Sequence, residues 1–305
     1  MNRFWRRTNF WPFLGQALAI VLLLSAFGWL GHNLLVNLRR LGLQFGFNFL
    51  RSPAGFGIGE AVIPYEPSAP YWLALLVGLT NSLRVVGLGI VGSTIVGLLA
   101  GLARLSDNWL VRQLAKIYIE VLRNTPLLLQ LLFWYGAVFL ALPVPGQPLV
   151  LLGGLVQLSK AGVVLFGLSL SSEFSALLLG LTLYTGTFIA EIVRGGIQSV
   201  PRGQWEAARS LGLSAPIILR KIILPQALRS MIPSLANQYL NLSKNSSLAI
   251  AIGYPDLYAT ASTTFNQTGR AVEVMILISL TYLMVSLFIS LLLNWYNQRM
   301  QFVMR

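Results

Sequence analysis

The chain has 305 residues, of which 55% are hydrophobic and only 10% are charged, and its formal net charge is +13. A soluble domain usually carries about 25% charged residues, so most of this surface must face lipid rather than water. Cysteine is absent and His32 is the single histidine, so no disulfide, thiolate site, metal site or catalytic set is predicted. The basic residues flank apolar segments, a pattern of membrane topology rather than of nucleic-acid binding.

Six apolar segments approach the roughly 20 residues that a membrane-spanning helix needs. In chain order they cover residues 13–31, 85–103, 126–142, 174–190, 227–252 and 274–296. The second follows Arg84, which we expect to reach the outer headgroups. The fifth is weaker, because Arg229, Pro233 and Lys244 interrupt it. The sequence therefore predicts an all-α membrane protein with six transmembrane helices.

The distribution of basic residues predicts the orientation. With the N-terminus inside, the inner segments hold 13 basic residues and the outer segments hold 5. The inner set is Arg3, Arg6, Arg7, Arg104, Arg112, Lys116, Arg202, Arg209, Arg220, Lys221, Arg229, Arg299 and Arg305, and the outer set is Arg39, Arg40, Arg51, Lys160 and Arg270. Because Lys and Arg stay on the cytoplasmic side, both termini are predicted to be cytoplasmic.

Three stretches allow alternatives. The first segment is also compatible with a signal peptide, but its apolar run is long and no small-x-small site follows it, so we favour an uncleaved span. Residues 143–172 contain an apolar run too short to cross the membrane, and we predict an outer loop or hairpin rather than a seventh span. Residues 32–70 lack a helical period and are predicted to be an ordered loop on the membrane surface.

The longest inner loop, residues 201–225, has a helix–glycine–helix pattern. Its first part favours a helix, and the early carboxylate of Glu206 suits the helix dipole. Gly212 is a predicted C-cap, because glycine enters the left-handed region without a steric cost. Pro216 allows a second helix, which Pro225 is expected to end. These properties alone are compatible with a simple connector or with a docking surface.

The spacing of residues in this loop is more specific. Glu-Ala-Ala, three residues, Gly, nine residues and then Ile-x-Leu-Pro resembles the signature of ABC importer permeases. The matching residues are Glu206, Ala207, Ala208, Gly212, Ile222, Leu224 and Pro225, with no departure. The resemblance implies a type I ABC importer permease fold with an additional N-terminal helix. It also implies that these residues form a coupling helix that docks on a separate ATPase.

Further strings resemble the polar amino acid branch of this family. They are Arg123-Asn124-Thr125-Pro126-Leu127, the segment from Glu191 to Ile197, and the segment from Lys244 to Ala249. The outer residues 45–50 and 54–56 are similar to the longer subunits of general L-amino acid and glutamate/glutamine/aspartate/asparagine importers. The resemblance runs from about residue 10 to the C-terminus. It implies transport of polar L-amino acids, without indicating which ones.

The resemblance also implies partners. No Gly-x-x-x-x-Gly-Lys-Ser/Thr phosphate loop occurs, so we expect no cofactor in this chain, with ATP and magnesium on two ATPase subunits. A second and different permease and an extracytoplasmic binding protein are expected, in the inner membrane of a bacterium. The rival classes are a secondary amino acid transporter driven by an ion gradient, a membrane enzyme and a scaffold. No repeat typical of secondary transporters is visible, no catalytic set occurs, and a scaffold would not need the loop signature.

Polar groups within the predicted spans or beside their predicted cytoplasmic ends are candidates for the translocation pathway. They are Glu120, Arg123, Asn124, Glu191, Arg194, Asn241, Lys244, Asn245 and Ser246. Glu120 and Arg123, like Glu191 and Arg194, are three residues apart and share a helix face. Each pair either lines the pathway or forms a local ion pair at the inner boundary, and we favour the ion pair. For the broken polar segment around Lys244, pathway and packing roles stay open.

Glycines recur in the second span, at Gly87, Gly89, Gly92, Gly97 and Gly101. They indicate either a dimer face or close packing within the subunit, and we favour packing. The sequence divides into an N-terminal helix with its outer loop (1–70), a transport core (71–298) and a cytoplasmic tail (299–305).

Overall fold

The computed structural model describes residues 10–40, 42 and 45–302. The chain forms two units, residues 1–49 and residues 50–305. The first unit contains helix α1 (Phe10–Arg40), so the predicted first span is helical and runs past residue 31. The helix continues because residues 32–40 contain no glycine or proline, and Gly42 follows it with a φ of +68°. Arg3, Arg6, Arg7 and Arg305 lie outside the described residues.

The second unit is built mainly from helices. They are α2 (Tyr71–Arg104), α3 (Trp109–Arg123), α4 (Leu127–Leu132), α5 (Ser172–Gln198), α6 (Arg202–Ser210), α7 (Ala215–Ile218), α8 (Leu224–Asn245), α9 (Leu257–Thr268) and α10 (Ala271–Phe302). A π turn (Phe133–Val138) and a 3-10 turn (Phe139–Ala141) extend α4. A second π turn (Leu219–Ile223) joins α7 to α8, and a 3-10 segment (Ser246–Ile252) follows α8.

Within the described residues, four helices are long and apolar enough to cross a membrane. They cover Trp11–Asn37, Tyr71–Arg104, Ser172–Gln198 and Ala271–Trp295. The pair Trp109–Arg123 and Leu127–Ala141, bent by 104°, raises the number to five if it is one broken span. The predicted fifth span is helical but too polar to qualify, so the count of six stays a prediction.

Helix α2 begins at Tyr71 rather than at residue 85, so the expectation for Arg84 was wrong. Arg84 lies inside the helix, where its Nη1 atom is 2.6 Å from Glu60 Oε1. Its guanidinium also stacks on Phe174, 4.1 Å from the ring centroid. The sequence rule treated the arginine as the end of the apolar run. A carboxylate and an aromatic ring compensate its charge within the protein instead.

The sequence predicted an outer loop or a hairpin for residues 143–172 rather than a seventh span. The structure shows consecutive antiparallel hairpins there. Strands β1 (Leu149–Leu151), β2 (Val156–Ser159), β3 (Gly162–Leu165) and β4 (Leu168–Ser171) make an antiparallel sheet in sequence order. Val163 and Leu170 pack against the hydrophobic cluster at the start of α5. The helical fold class is confirmed, with this small sheet as an addition to it.

Residues 45–70 are ordered, with one short 3-10 turn at Asn48–Arg51. The backbone N–H of Ala54 donates to Ala69 O at 2.8 Å, and that of Gly55 donates to Pro67 O at 2.8 Å. These hydrogen bonds close the loop against the start of α2. The predicted ordered loop is therefore present from residue 45, while residues 32–40 belong to α1.

Four of the five α2 glycines singled out in the sequence, all but Gly87, pack inside the subunit, which is the alternative that we favoured. A Cβ atom on Gly97 would stand 2.5 Å from Ile189 Cβ, and one on Gly101 would stand 2.7 Å from Ala190 O. Both neighbours belong to α5. A Cβ on Gly87, in contrast, would meet nothing within 4 Å. Small residues therefore allow the backbones of α2 and α5 to approach closely.

Candidate functional site

The loop between α5 and α8 folds as a compact pair of short helices. Helix α6 ends at Ser210, and Gly212 follows with a φ of +73°. The Gly212 N–H donates to Arg209 O at 2.9 Å, and the Leu213 N–H donates to Ala208 O at 3.3 Å. These bonds satisfy carbonyl groups that a helix end leaves open. The predicted C-cap role of Gly212 is confirmed.

Pro225 does not end the second helix, contrary to the sequence prediction. It occupies the first turn of α8, directly after the π turn Leu219–Ile223. The preceding π turn interrupts the regular α-helical hydrogen-bond pattern, so the missing N–H of the proline is tolerated at this position. The π turn widens the preceding backbone, and the chain passes from α7 into α8 without a break.

The seven signature residues divide between surface and core. Glu206, Ala207, Gly212 and Pro225 are exposed, and Ile222 and Leu224 are half-buried. Ala208 is buried, with 2% exposure. The signature thus contributes polar and small residues to the exposed surface of the loop, while Ala208 fixes the loop to the buried core.

A buried cluster holds this loop against the ends of two long helices. Ala208, Ile218 and Ile223 share it with Val193 of α5 and Met231 of α8. Leu211 lies outside the cluster and is 77% exposed, and Ile217 is 47% exposed. The sequence analysis did not single out these two apolar side chains. For Leu211 the signal was its position directly beside the capping glycine.

Glu191 forms the predicted ion pair with Arg194. Arg194 donates to Glu191 Oε2 from Nη2 at 2.7 Å and from Nε at 3.1 Å. Arg104, at the end of α2, places its Nε 3.9 Å from Glu191 Oε1. Arg194 Nη1 also donates to Gln198 at 2.7 Å. The carboxylate therefore joins α2 to α5 near the loop.

The other predicted pair is arranged differently. Glu120 lies 3.7 Å from Lys116 Nζ, and both side chains are exposed. The Arg123 guanidinium lies over the ring of Phe188, 5.1 Å from its centroid. Asn124 is the exposed C-cap residue of α3. The structure thus places Arg123 beside α5 and pairs Glu120 with Lys116 rather than with Arg123.

The polar segment at the end of α8 also separates into two groups. Asn241 and Lys244 are exposed, and Asn245 is half-buried. Ser246 is buried, and its hydroxyl donates to Ser243 O at 2.8 Å. Ser246 therefore supports the helix end, while Asn241 and Lys244 present polar groups on the surface of the subunit.

A polar cluster at the opposite end of α5 was missed by the sequence analysis. Glu60 accepts from Arg84 and from the Ser171 hydroxyl, and Asn81 donates to the Glu60 carbonyl oxygen at 2.8 Å. Glu173 accepts from Tyr135 at 2.8 Å. Glu60 and Glu173 line a cavity of about 350 Å³. The paired residues are between 21 and 111 positions apart in the sequence, so no local pattern predicts that they meet.

No group of three His, Cys, Asp or Glu side chains suited to a metal ion occurs among residues 10–40, 42 and 45–302. The long apolar helices and the polar loop anchored at one end of them define a multi-pass membrane protein.

The chain belongs to the family of binding-protein-dependent transport system inner membrane components, which matches residues 93–302. It is similar to the general L-amino acid transport system permease protein AapQ of Rhizobium johnstonii, with 38% identity over 95% of this chain and 92% of the relative. It is also similar to the glutamate/glutamine/aspartate/asparagine transport system permease protein BztB of Rhodobacter capsulatus, with 34% identity over 95% of this chain and 94% of that protein.

A solved structure supports the same assignment. A chain from the crystal structure of an amino acid ABC transporter with histidines has 31% identity and a TM-score of 0.60. The match covers 75% of this chain and 95% of the other. The type I ABC permease fold is therefore confirmed. The chain is a multi-pass inner membrane permease component of an ABC importer, not a secondary transporter, and ATP hydrolysis belongs to a separate subunit.

Proposed function

We propose that this chain forms part of the transmembrane pathway of an ATP-driven importer of polar L-amino acids. The observation that carries the proposal is the complete seven-residue loop signature, displayed on a helix pair that is packed against both α5 and α8. The relatives with amino acid substrates cover nearly the whole chain, which supports the substrate class.

The surface around α6 is the proposed contact with the ATPase. Glu206 is exposed within a short helix, where its carboxylate can accept from a donor across an interface. Ala207 is exposed and small, which permits close approach. Leu211 adds an apolar side chain that is 77% exposed and that a partner would cover. The proposed coupling unit comprises residues 201–225. Its last signature residues, Ile222, Leu224 and Pro225, connect it to α8.

The proposed pathway groups are polar side chains on helices that remain exposed on the surface of the subunit. Lys244 and Asn241 are three residues apart on α8 and both exposed, so they share one polar face. A charged group at membrane depth needs a partner or water, and a zwitterionic substrate has a carboxylate for the lysine. Arg123 and Asn124 offer a second such position. Glu191, Arg194 and Ser246 have internal partners, and we assign them supporting roles.

The wider assembly is also a proposal. One subunit with an exposed polar helix face requires another to enclose a pathway, and we propose a second, different permease. Two ATPases on the cytoplasmic side and an extracytoplasmic amino acid-binding protein complete the complex. We further propose six spans with both termini in the cytoplasm. The chain is proposed to divide into an N-terminal helix with its loop (1–70), a transport core (71–298) and a cytoplasmic tail (299–305).

Reconstituted transport tests the function. This chain, its partner permease and the ATPase are placed in vesicles, and uptake of labelled amino acids is measured with candidate binding proteins added outside. We expect uptake of polar L-amino acids that requires ATP inside and binding protein outside. Uptake confined to another substrate class would contradict the proposal.

A lysine variant tests the pathway assignment. Lys244→Met keeps the length of the side chain and removes its charge, whereas Lys160→Met makes the same change at an exposed position in the turn between β2 and β3. We expect the Lys244 variant to lower the maximal uptake rate several-fold while the Lys160 variant stays near the parent. Equal rates for all three chains would remove Lys244 from the pathway.

A further inference from the structure

Helix α3 has three distinct faces. With about 100° between successive residues, Leu110, Leu114, Ile117 and Val121 fall within an arc of about 60°. All four are at least half exposed, between 50% and 58%. This set is called the apolar stripe. It forms a continuous line along nearly the whole helix.

The other two faces have different environments. Ala115 and Ile119 are buried, and Tyr118 donates to Leu183 O of α5 at 2.7 Å, so this face packs on the protein. The third face, called the polar stripe, consists of Arg112, Gln113, Lys116, Glu120 and Arg123. Both stripes lie away from the packed face, and their centres are about 120° apart around the helix.

The position of α3 is fixed by its neighbours. It follows Arg104, which contacts Glu191, and its end places Arg123 over Phe188. It therefore lies beside the half of α5 that leads to residues 201–225. The axis of α3 is bent by 104° from the helical segment that follows it. A helix with this bend and these stripes has the form of one that lies along a membrane surface.

The charges of the polar stripe favour one kind of lipid. Three basic residues and one acidic residue give the stripe a net positive charge. Arg112 donates to Ser106 O at 3.0 Å and remains exposed, and the Lys116–Glu120 pair is solvent-exposed, so it holds the lysine only weakly. Trp109, which is 67% exposed, begins the helix with an aromatic ring suited to the headgroup region.

We propose that α3 lies in the membrane interface on the side of residues 201–225 and binds anionic phospholipid headgroups through Arg112 and Lys116. The apolar stripe enters the acyl region, and the polar stripe faces headgroups and water from Arg112 to Glu120, whereas Arg123 at its end lies over Phe188 of α5. The occupant of this surface is lipid rather than a protein subunit, because basic side chains border the aliphatic stripe along its length. This inference is independent of which substrate is carried.

Depth measurements along the helix test the orientation. Because the chain has no cysteine, the variants Leu110→Cys, Leu114→Cys, Ile117→Cys and Val121→Cys each give this chain one labelling site. The assembled complex, labelled with an environment-sensitive fluorophore, is placed in vesicles with lipids brominated at different depths. The complex with the unsubstituted chain gives the background.

We expect all four labels to be quenched at similar shallow depths. A spanning orientation would instead separate the first and last labels by about 16 Å, at 1.5 Å per residue. Such a gradient would overturn the proposal. Absence of lipid quenching at every position would also overturn it, since a protein partner would then cover the stripe.

Headgroup preference tests the charge component. With the label at Leu114→Cys, brominated phosphatidylglycerol should quench several-fold more than brominated phosphatidylcholine. Adding Arg112→Gln and Lys116→Gln should abolish the excess, and Glu120→Gln should increase it. Equal quenching by the two lipids in the parent, or an excess that survives the double substitution, would refute anionic lipid binding.

Discussion

Gly212 is required by backbone conformation rather than by lack of space. Its φ is +73°, and a Cβ atom there would meet nothing within 4 Å. Asparagine tolerates the left-handed region, whereas a β-branched residue does not. We predict that Gly212→Val, at a cost of about 1 kcal/mol or more, lowers ATPase co-purification and uptake. Gly212→Asn should stay near the parent in both measurements.

Both variants should insert normally, because residue 212 lies outside every predicted span, and their membrane levels serve as the control. Glu206→Ala removes the proposed acceptor without changing the backbone. Normal uptake by Gly212→Val and Glu206→Ala together would mean that residues 201–225 are only a connector.

Asp256 is a buried carboxyl at the start of α9, with 1% exposure. Burial raises its pKa from 3.8 to about 7, although the Ala259 N–H partly offsets this shift. Above about pH 4 the unfolded chain has lost this proton while the folded chain retains it, so stability falls as the pH rises towards 7. Asp256→Asn keeps the hydrogen-bond acceptor for Ala259 and has no charge to bury.

We predict that the thermal midpoint of the Asp256→Asn variant gains on the parent as the pH rises from about 4 to about 7 and that the gain then levels off. Thermal unfolding of the purified complex across this range measures the difference. A constant difference between the two proteins would show that the carboxyl does not titrate in this window.

Residue-level features were predictable where their cause is local in sequence. The left-handed Gly212 and the Glu191–Arg194 pair follow from neighbouring residues. The Arg84–Glu60 pair does not, because the residues are 24 positions apart and only the folded outer loop brings them together. The Glu120–Arg123 spacing misled because each residue had a competing partner: Glu120 pairs with Lys116 one turn away, and Arg123 lies over Phe188, which is distant in sequence.

At the scale of elements, the most extensive helix packing among the described residues is between α2 and α5. Gly97→Ala would place a Cβ atom 2.5 Å from Ile189 Cβ, whereas Gly87→Ala meets open space. Because both changes have the same intrinsic effect on helix formation, their difference reports packing. We predict that Gly97→Ala lowers the thermal midpoint and that Gly87→Ala does not. Equal midpoints for the two variants would show that the helices can separate at no cost.

Element boundaries deviated from prediction where several rules compete. Apolar runs located α1, α5 and α10, but a run ends at its first charge and therefore missed the outer part of α2. Proline was taken as a helix end at Pro225, yet a first-turn position after a π turn accommodates it. The sheet between α4 and α5 consists of strands of three or four residues, which are too short for a clear alternating pattern.

At the scale of the whole molecule, the orientation is open to a direct test. Lys160 lies at the turn between β2 and β3 and is exposed, and Arg209 is exposed on α6. We predict that Lys160→Cys reacts with a membrane-impermeant maleimide in intact spheroplasts and that Arg209→Cys reacts only after lysis. The cysteine-free parent chain is the control. Labelling in the reverse order would contradict the orientation predicted from the basic residues.

Composition and hydropathy suffice to predict a helical membrane protein, because lipid exposure demands long apolar helices. They do not suffice for the number of spans, since α8 carries Arg229 and Lys244 and its polarity makes sense only beside water or a partner. The surfaces that meet other subunits follow no such general rule. For these, the sequence contributes only the spacing of particular residues such as Glu206 and Gly212.

Helices α5, α6, α7 and α8 share one buried core, so the loop is expected to move together with the long helices as a rigid unit. Close-packed interiors are hardly compressible, so a push on α6 cannot be absorbed by local bending. It must instead rotate the helices to which Ala208 and Ile223 are fixed. Helix α5 has 27 residues and is therefore about 40 Å long. A tilt of only about 5° at the loop would displace its far end by about 3.5 Å, roughly the width of a water molecule.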